Sequence, residues 1–310
     1  MKAPARVTYV TLALAATLCW GAGMTLTKLA LSYFEPSLLL VIQLLASILF
    51  LVCAAPLLRI RLPSLQSLSR TWWLGVLEPG LAYFLGLEGL QRISASEAVV
   101  LSSTESIMVV ILAWAFAKER LRGVVLALAA VGGVGAILVG GSHLRMHGVA
   151  PSILGDTLLI GGVLCASAYV VLSSQRSSDT EPLSALIAQQ GGAVLLAVTM
   201  YLIVSNRAPL IHHVASRGWA LAFASGIIQY ACAFWLYLWA LKGLSASVAG
   251  MFLNLIPVFG LLVAMPVLGD RLTGIQWLGA ALIIGSVVTL TWVRDEPHGV
   301  VLPATPVPVA

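Results

Sequence analysis

The chain has 310 residues, of which 60% are hydrophobic and 9% charged, with a mean hydropathy of +1.00. A soluble domain carries about 25% charged residues, so this composition excludes a water-soluble globular protein and points to an all-α, polytopic membrane protein. The net charge of +5 gives no reason to invoke nucleic acid, because Lys and Arg flanking spans act as topology signals.

A helix crosses a bilayer with about 20 apolar residues, and ten such runs follow one another. Their expected limits are 8–33, 37–58, 71–91, 94–117, 122–141, 155–173, 182–205, 218–241, 245–268 and 273–293. The first is longer than the apolar core of a cleavable signal peptide, about 7–15 residues, and is expected to remain as a span. Turn-type breaks separate the runs at Glu35-Pro36, Pro63, 141–147, Glu181-Pro182 and 206–217. Spans three and four, and eight and nine, are joined by very short links and should form antiparallel hairpins. The Pro-rich tail, residues 297–310, is expected to be disordered. With the N-terminus in the cytoplasm, the inner side collects Lys2, Arg6, Arg59, Arg61, Arg70, Lys118, Arg120, Arg122, Arg176, Lys242 and Arg294. The outer side collects Arg92, Arg145, Arg207, Arg217 and Arg271. The positive-inside rule then puts both termini in the cytoplasm and the protein in the inner (plasma) membrane.

An internal repeat runs through these spans. A shift of 146 carries Thr11, Leu12, Leu18, Cys19 and Ala22 onto Thr157, Leu158, Leu164, Cys165 and Ala168, Glu35-Pro36 onto Glu181-Pro182, and Gln43 onto Gln189. A shift of 151 carries "LQRISASEA" onto "LKGLSASVA" and "KERLRG" onto "GDRLTG". The expected units are residues 1–146 and 147–296. Each holds five spans, an odd number, so the second enters the membrane inverted. Inverted repeats mark secondary transporters, with the solute held near the midplane between the halves.

Ten spans, the five-plus-five repeat, and "KERLRG" and "GDRLTG" ahead of Gly-rich last helices resemble the drug/metabolite transporter superfamily, EamA-type branch, and within it the aromatic amino acid exporters. That resemblance covers nearly the whole chain. It implies ATP-independent export of small metabolites by alternating access, through a cavity built from spans one to four and six to nine. Spans five and ten would lie outside it. Their small-residue stripes, Gly132/Ala136/Gly140 and Ala281/Gly285/Thr289, read as packing or dimer contacts.

Ionisable groups away from the span ends are Lys28, Glu78, Glu88 and Glu105. A charge at a helix centre costs about 2.5–3.5 kcal/mol on the insertion scale, so such groups face the bundle interior or a water-filled cavity. Glu105 is expected at the midplane with Ser102 one turn before it on the same face. It would meet a solute, a proton, or Lys28 in an internal pair. Its repeat counterpart is Ile256, beside Asn254 and Pro257. Glu78-Pro79-Gly80 interrupts span three. Trp20, Met24 and Lys28 share one face of span one. Tyr83, Tyr169, Gln229, Tyr230 and Trp235 lie deep, and aromatic walls with a few amides suit a ligand with an apolar body and a polar head. Gln43 and Gln189 would hydrogen-bond that head or pin helices together. Gly250, Pro257 and Gly260 are the hinge candidates, Pro257 because it removes a backbone hydrogen bond within span nine.

The expected function is export of amino acids with aromatic or large apolar side chains, and of related small molecules. A broad drug exporter is the rival within this class; a membrane-embedded enzyme or lipid-handling protein, and a sensor or scaffold, are the rivals outside it. No Ser-His-Asp or HExxH arrangement appears, the five histidines fall in expected loops or the tail, and no Walker-type phosphate loop is present. Neither a cofactor nor a metal is expected. The cysteines, Cys19, Cys53, Cys165 and Cys232, sit singly in apolar spans and read as small hydrophobes. The expected partners are the lipid bilayer, a small-molecule solute and, if transport is coupled, a proton; a monomer and a homodimer both fit.

Overall fold

The computed structural model describes residues 6–60, 65–90, 92–93, 95–120, 122–141, 152–178, 181–204, 214–268 and 273–292. The junction of the two expected units, the tail 297–310, Pro63, all five histidines and the segment Asp270–Leu272 lie outside the described residues.

Every regular element among the described residues is helical. The order is α1 (Arg6–Ala30), α2 (Pro36–Leu57), α3 (Leu65–Gly75), a π-helical segment (Val76–Leu81), α4 (Ala82–Leu90), α5 (Ala95–Ser102), α6 (Glu105–Ala117) and α7 (Gly123–Gly141). Then come α8 (Ile153–Arg176), α9 (Pro182–Val204), α10 (Ser216–Ser225), a second π-helical segment (Gly226–Cys232), α11 (Ala233–Ala240), α12 (Ala246–Phe252), a 3-10 turn (Leu253–Leu255), α13 (Ile256–Leu268) and α14 (Gly274–Trp292). Among the described residues, eight helical stretches are long and apolar enough to cross a membrane: Arg6–Ala30, Pro36–Leu57, Ala98–Ala117, Gly123–Gly140, Ile153–Arg176, Pro182–Ile203, Ser216–Ala240 and Ala246–Pro266. A shorter apolar run occupies Gly274–Leu290. The chain is therefore a multi-pass helical membrane protein.

Helix starts follow local chemistry. Pro36 and Pro182 open α2 and α9, where a missing N–H is harmless. Ser152 and Ser245 cap α8 and α12 by accepting from the Gly155 and Val248 amides. Helices α1, α2, α8, α9 and α11 share one packed core with α6, α12 and α13. Helices α7 and α14 pack on each other and contribute Ala129, Val139, Ile283 and Leu290 to the same core.

Between lipid-embedded helices water supplies no hydrophobic drive, so close approach through small residues becomes the main source of packing energy. Two such contacts come as a pair. A Cβ at Gly75 would fall inside the Gln189 carbonyl, and one at Gly226 would sit 2.6 Å from the Gln43 carbonyl oxygen. The 151-residue shift carries Gly75 onto Gly226, and the 146-residue shift carries Gln43 onto Gln189. The helix breaks match in the same way, Val76–Leu81 with Gly226–Cys232 and Ser103-Thr104 with Leu253–Leu255.

Two expectations are corrected and a third gains its setting. The fourth span is not continuous: α5 ends at Ser102 and α6 starts at Glu105, with a turn between them. Pro257 follows directly on the 3-10 turn Leu253–Leu255, and its missing N–H removes the bond that the Leu253 carbonyl would otherwise accept within this span. The packing face of α14 is not Ala281/Gly285/Thr289, which is exposed, but the buried Ile283, Ser286 and Leu290 with Gly279. A Cβ on Gly279 would lie 2.6 Å from the Gly135 oxygen of α7.

Candidate functional site

The helix breaks and the core aromatics converge. Glu78 leaves the helical conformation (φ −148°, ψ 131°) just ahead of Pro79, joined to it by a cis peptide bond. An extended residue inside a helical rod turns its side chain out of the helical register. Glu78 and Glu105 are both half-buried, and each is the other's charged neighbour. Among the described residues neither carboxylate has a hydrogen bond or an ion pair. Lys28 is exposed and makes no ion pair with Glu105, which removes the internal-pair reading of that carboxylate.

An aromatic wall faces them. Trp20 packs edge-on against Phe234 (5.1 Å between ring centroids) and Tyr237 (5.2 Å). Tyr230 stacks parallel to Phe234 at 6.4 Å and meets Tyr83 at 5.2 Å, while Tyr169 meets Phe234 at 5.7 Å. The half-buried Tyr83 has Glu78, Gln229, Glu105 and Trp20 as its polar neighbours. The Tyr237 hydroxyl has Glu105 and Glu78 as its charged neighbours yet forms no hydrogen bond. The Trp20 indole N–H and the Trp235 indole N–H are also buried without an acceptor. Buried polar groups are nearly always bonded, and an unpaired one costs about 1–3 kcal/mol.

Other expected site residues serve as pins between helices. The Gln43 amide donates to Thr27 Oγ1 and to Ser225 Oγ, both at 2.8 Å, and Thr27 donates onward to Gln229 Oε1 at 2.8 Å. Tyr169 Oη donates to Gln189 Oε1 at 2.9 Å. Asn254 Nδ2 donates to Ser106 Oγ at 3.1 Å, which ties the 3-10 turn to α6 one residue past Glu105. These networks satisfy deeply buried amides and hold the breaks in place.

Three expected residues are not drawn into the cluster. Ser102 is exposed, and the turn at Ser103-Thr104 removes the helical one-turn relation that would have aligned it with Glu105. Met24 is 55% exposed although Trp20, on the same face, is 5% exposed. Trp235 is half-buried and makes none of the ring contacts of its neighbours Phe234 and Tyr237. The hinge candidates Gly250 and Gly260 lie at helix crossings, against Val109 and Gly21 respectively. Residues that sequence reasoning passed over are Thr27, Ser106, Ser225, Phe234 and Tyr237. Tyr237 lies between Trp235 and Trp239, and its spacing alone did not separate it from a lipid-facing aromatic.

One end of the bundle is tied across elements. Glu119, which follows α6 in "KERLRG", accepts the Ala246 and Ser247 amides at the start of α12, at 2.8 and 3.2 Å. Lys242 Nζ donates to the Ser177 carbonyl at 2.6 Å, and Gln175 Nε2 to the Phe116 carbonyl at 2.9 Å. Arg176 lies over the Trp73 ring at 5.1 Å. A carboxylate on the first amides of a helix is favourable both as a cap and toward the helix dipole.

The model of the EamA-like transporter family matches this chain twice, over residues 7–141 and 153–292. The chain belongs to the EamA-like transporter family. An uncharacterized transporter of Methanothermobacter thermautotrophicus is 25% identical over 222 residues, 68% of this chain and 61% of the relative. An uncharacterized transporter of Helicobacter pylori is 27% identical over 168 residues, 54% of this chain and 55% of the relative. The putative permease-like protein YdzE of Bacillus subtilis is 38% identical over 71 residues, 23% of this chain and 91% of that protein. The match thus spans about three fifths of the lengths of the first two relatives. A protein of known crystal structure superposes with a TM-score of 0.76, covering 93% of this chain and 98% of its own at 20% identity, which shows a shared fold. In this EamA-like protein Gly75 lies in the first matched stretch and Gly226 in the second.

Proposed function

We propose that this EamA-like protein is a secondary transporter of the inner membrane. It exports small amphipathic metabolites, above all amino acids with aromatic or large apolar side chains, by alternating access. The reading takes the chain as ten spans in two inverted halves, with the solute held between them and both termini in the cytoplasm. The observation that carries it is the meeting of two carboxylates, with no cation among the described residues bonded to them, and an aromatic wall where both halves break their helices. Broken helices in a membrane are tolerated where they border protein or a water-filled cavity, and transporters place solute sites at them.

In this reading Glu105, Gln229 and Asn254 serve the polar part of the solute, and Trp20, Tyr83 and Tyr230 its apolar part. The contacts of Glu119, Lys242, Gln175 and Arg176 form the closed cytoplasmic end, which parts when the halves rock. Glu105 is the candidate proton carrier. Cells that overproduce the protein should survive a panel of toxic aromatic amino-acid analogues better than control cells, and a Glu105→Gln variant should lose that protection and its dependence on pH. Equal sensitivity of producing and control cells across the panel would contradict export of this solute class.

A further inference from the structure

Glu78 and Glu105 stand within electrostatic range of each other in a lipid-embedded core, and no Lys or Arg among the described residues is bonded to either. A half-buried carboxylate next to a second one, with no cation bonded to it among the described residues, is costly to keep ionised. The surroundings do not relieve it. The nearest polar neighbours are the Tyr83 and Tyr237 hydroxyls, the Gln229 amide and the Trp20 indole. The Gln229 carbonyl oxygen is already taken by Thr27.

The second observation is the unpaired groups on the same wall. Tyr237 is 0% exposed and Trp20 is 5% exposed, and neither the hydroxyl nor the indole N–H has a partner. The Tyr237 hydroxyl lies close enough to Glu105 and Glu78 to sense both charges and forms no bond to either. A donor so placed is satisfied only by an acceptor that the described residues do not supply. The Tyr83 ring borders both carboxylates with Trp20 beside it, and aromatic rings attract a cation at their faces.

We propose that Glu78, Glu105 and this aromatic wall form a site for a protonated amine. The solutes that this protein takes therefore carry a cationic nitrogen beside an apolar body. Glu78 is a specificity residue on a par with Glu105, and the Trp20 N–H and Tyr237 hydroxyl serve an acceptor on the same ligand, such as the carboxylate of an amino acid. The inference rests on the transporter reading for its biological setting, but its test is a binding measurement on the resting protein.

The full chain, purified in detergent, is titrated calorimetrically with phenethylamine, phenylalanine, phenethyl alcohol and 3-phenylpropionate, four probes that share one apolar body. Phenethylamine and phenylalanine should bind at least tenfold more tightly than the alcohol and the propionate. Glu78→Gln and Glu105→Gln should each weaken phenethylamine at least tenfold while leaving the melting temperature within a few degrees of the parent. Equal binding of amine and alcohol, preference for the propionate, or no measurable amine binding would overturn the proposal. The native-protein comparison decides even if a variant fails to fold. Amine-selective binding with no flux of any amino acid would sink the export reading and leave the site standing. Flux indifferent to the amine would do the reverse.

Discussion

Two regions of the chain share one close backbone contact but not its chemistry. Gly75 meets Gln189 and Gly226 meets Gln43, so one close contact is used twice. The π-helical segments Val76–Leu81 and Gly226–Cys232 fall at matching places. At those places the first half carries Glu78 where the second carries Gln229, and Glu105 where the second carries Ile256. Packing needs the same solution in both halves, because both bury a glutamine backbone against a helix with no room for a Cβ. A binding site needs no such symmetry. The paired breaks supply two openings in the helical ladder, and the acids of one half alone give the centre its sign.

The sharpest way to break this comparison is at the paired glycines. Gly75→Ala and Gly226→Ala each drive a methyl into a backbone carbonyl, where overpacking costs about 1–3 kcal/mol and more when backbone must move. Both should lower the melting temperature in detergent and the folded yield, Gly75→Ala the more. A tolerant Gly226→Ala with a damaging Gly75→Ala would show the two contacts to be unequal.

The charge asymmetry comes next. Glu78→Gln should reduce solute flux about tenfold or more, and a Glu78→Gln/Gln229→Glu double variant should recover part of it. A glutamate at 229 can still accept from Thr27, so the exchange moves the carboxylate between halves without losing that bond. No recovery would mean that the position of the acid matters beyond its presence in the cluster.

The glutamine pins are expected to differ by what their loss leaves unpaired. Gln43→Leu removes two bonds, but Thr27 still donates to Gln229 and Ser225 to the Ala222 carbonyl, whereas Gln189→Leu leaves the Tyr169 hydroxyl without its acceptor. At about 1–3 kcal/mol for a buried group left unpaired, urea or thermal unfolding in micelles should place Gln189→Leu as the weaker protein. Least affected should be Ile284→Ala on the outer face of α14, which is 47% exposed; surface changes of this kind stay within about 0.5 kcal/mol.

The membrane class was legible in the sequence, because it rests on long apolar runs. The interruption at Glu78-Pro79-Gly80 was legible too, since Pro and Gly mark it. The turn at Ser103-Thr104 was not, because Ser and Thr are tolerated in membrane helices and give no stop signal. It is held by contacts from elsewhere in the chain, such as Asn254 on Ser106 and Ser167 Oγ on the Glu105 carbonyl. The 3-10 turn at Leu253–Leu255 was foreshadowed by Pro257, whose missing N–H falls just after it. The pairing of Glu78 with Glu105 and the unbonded Tyr237 hydroxyl depend on how α1, α4, α6 and α11 converge, which no spacing within one helix encodes.

The most direct test of the account is flux through the purified full chain in liposomes. Labelled phenylalanine should move down its gradient with saturable kinetics, be competed by phenethylamine and not by phenethyl alcohol, and fall at least tenfold in Glu105→Gln protein reconstituted to the same density. Absence of saturable flux for any amine-bearing amino acid, or flux unchanged by the loss of that carboxylate, would contradict it.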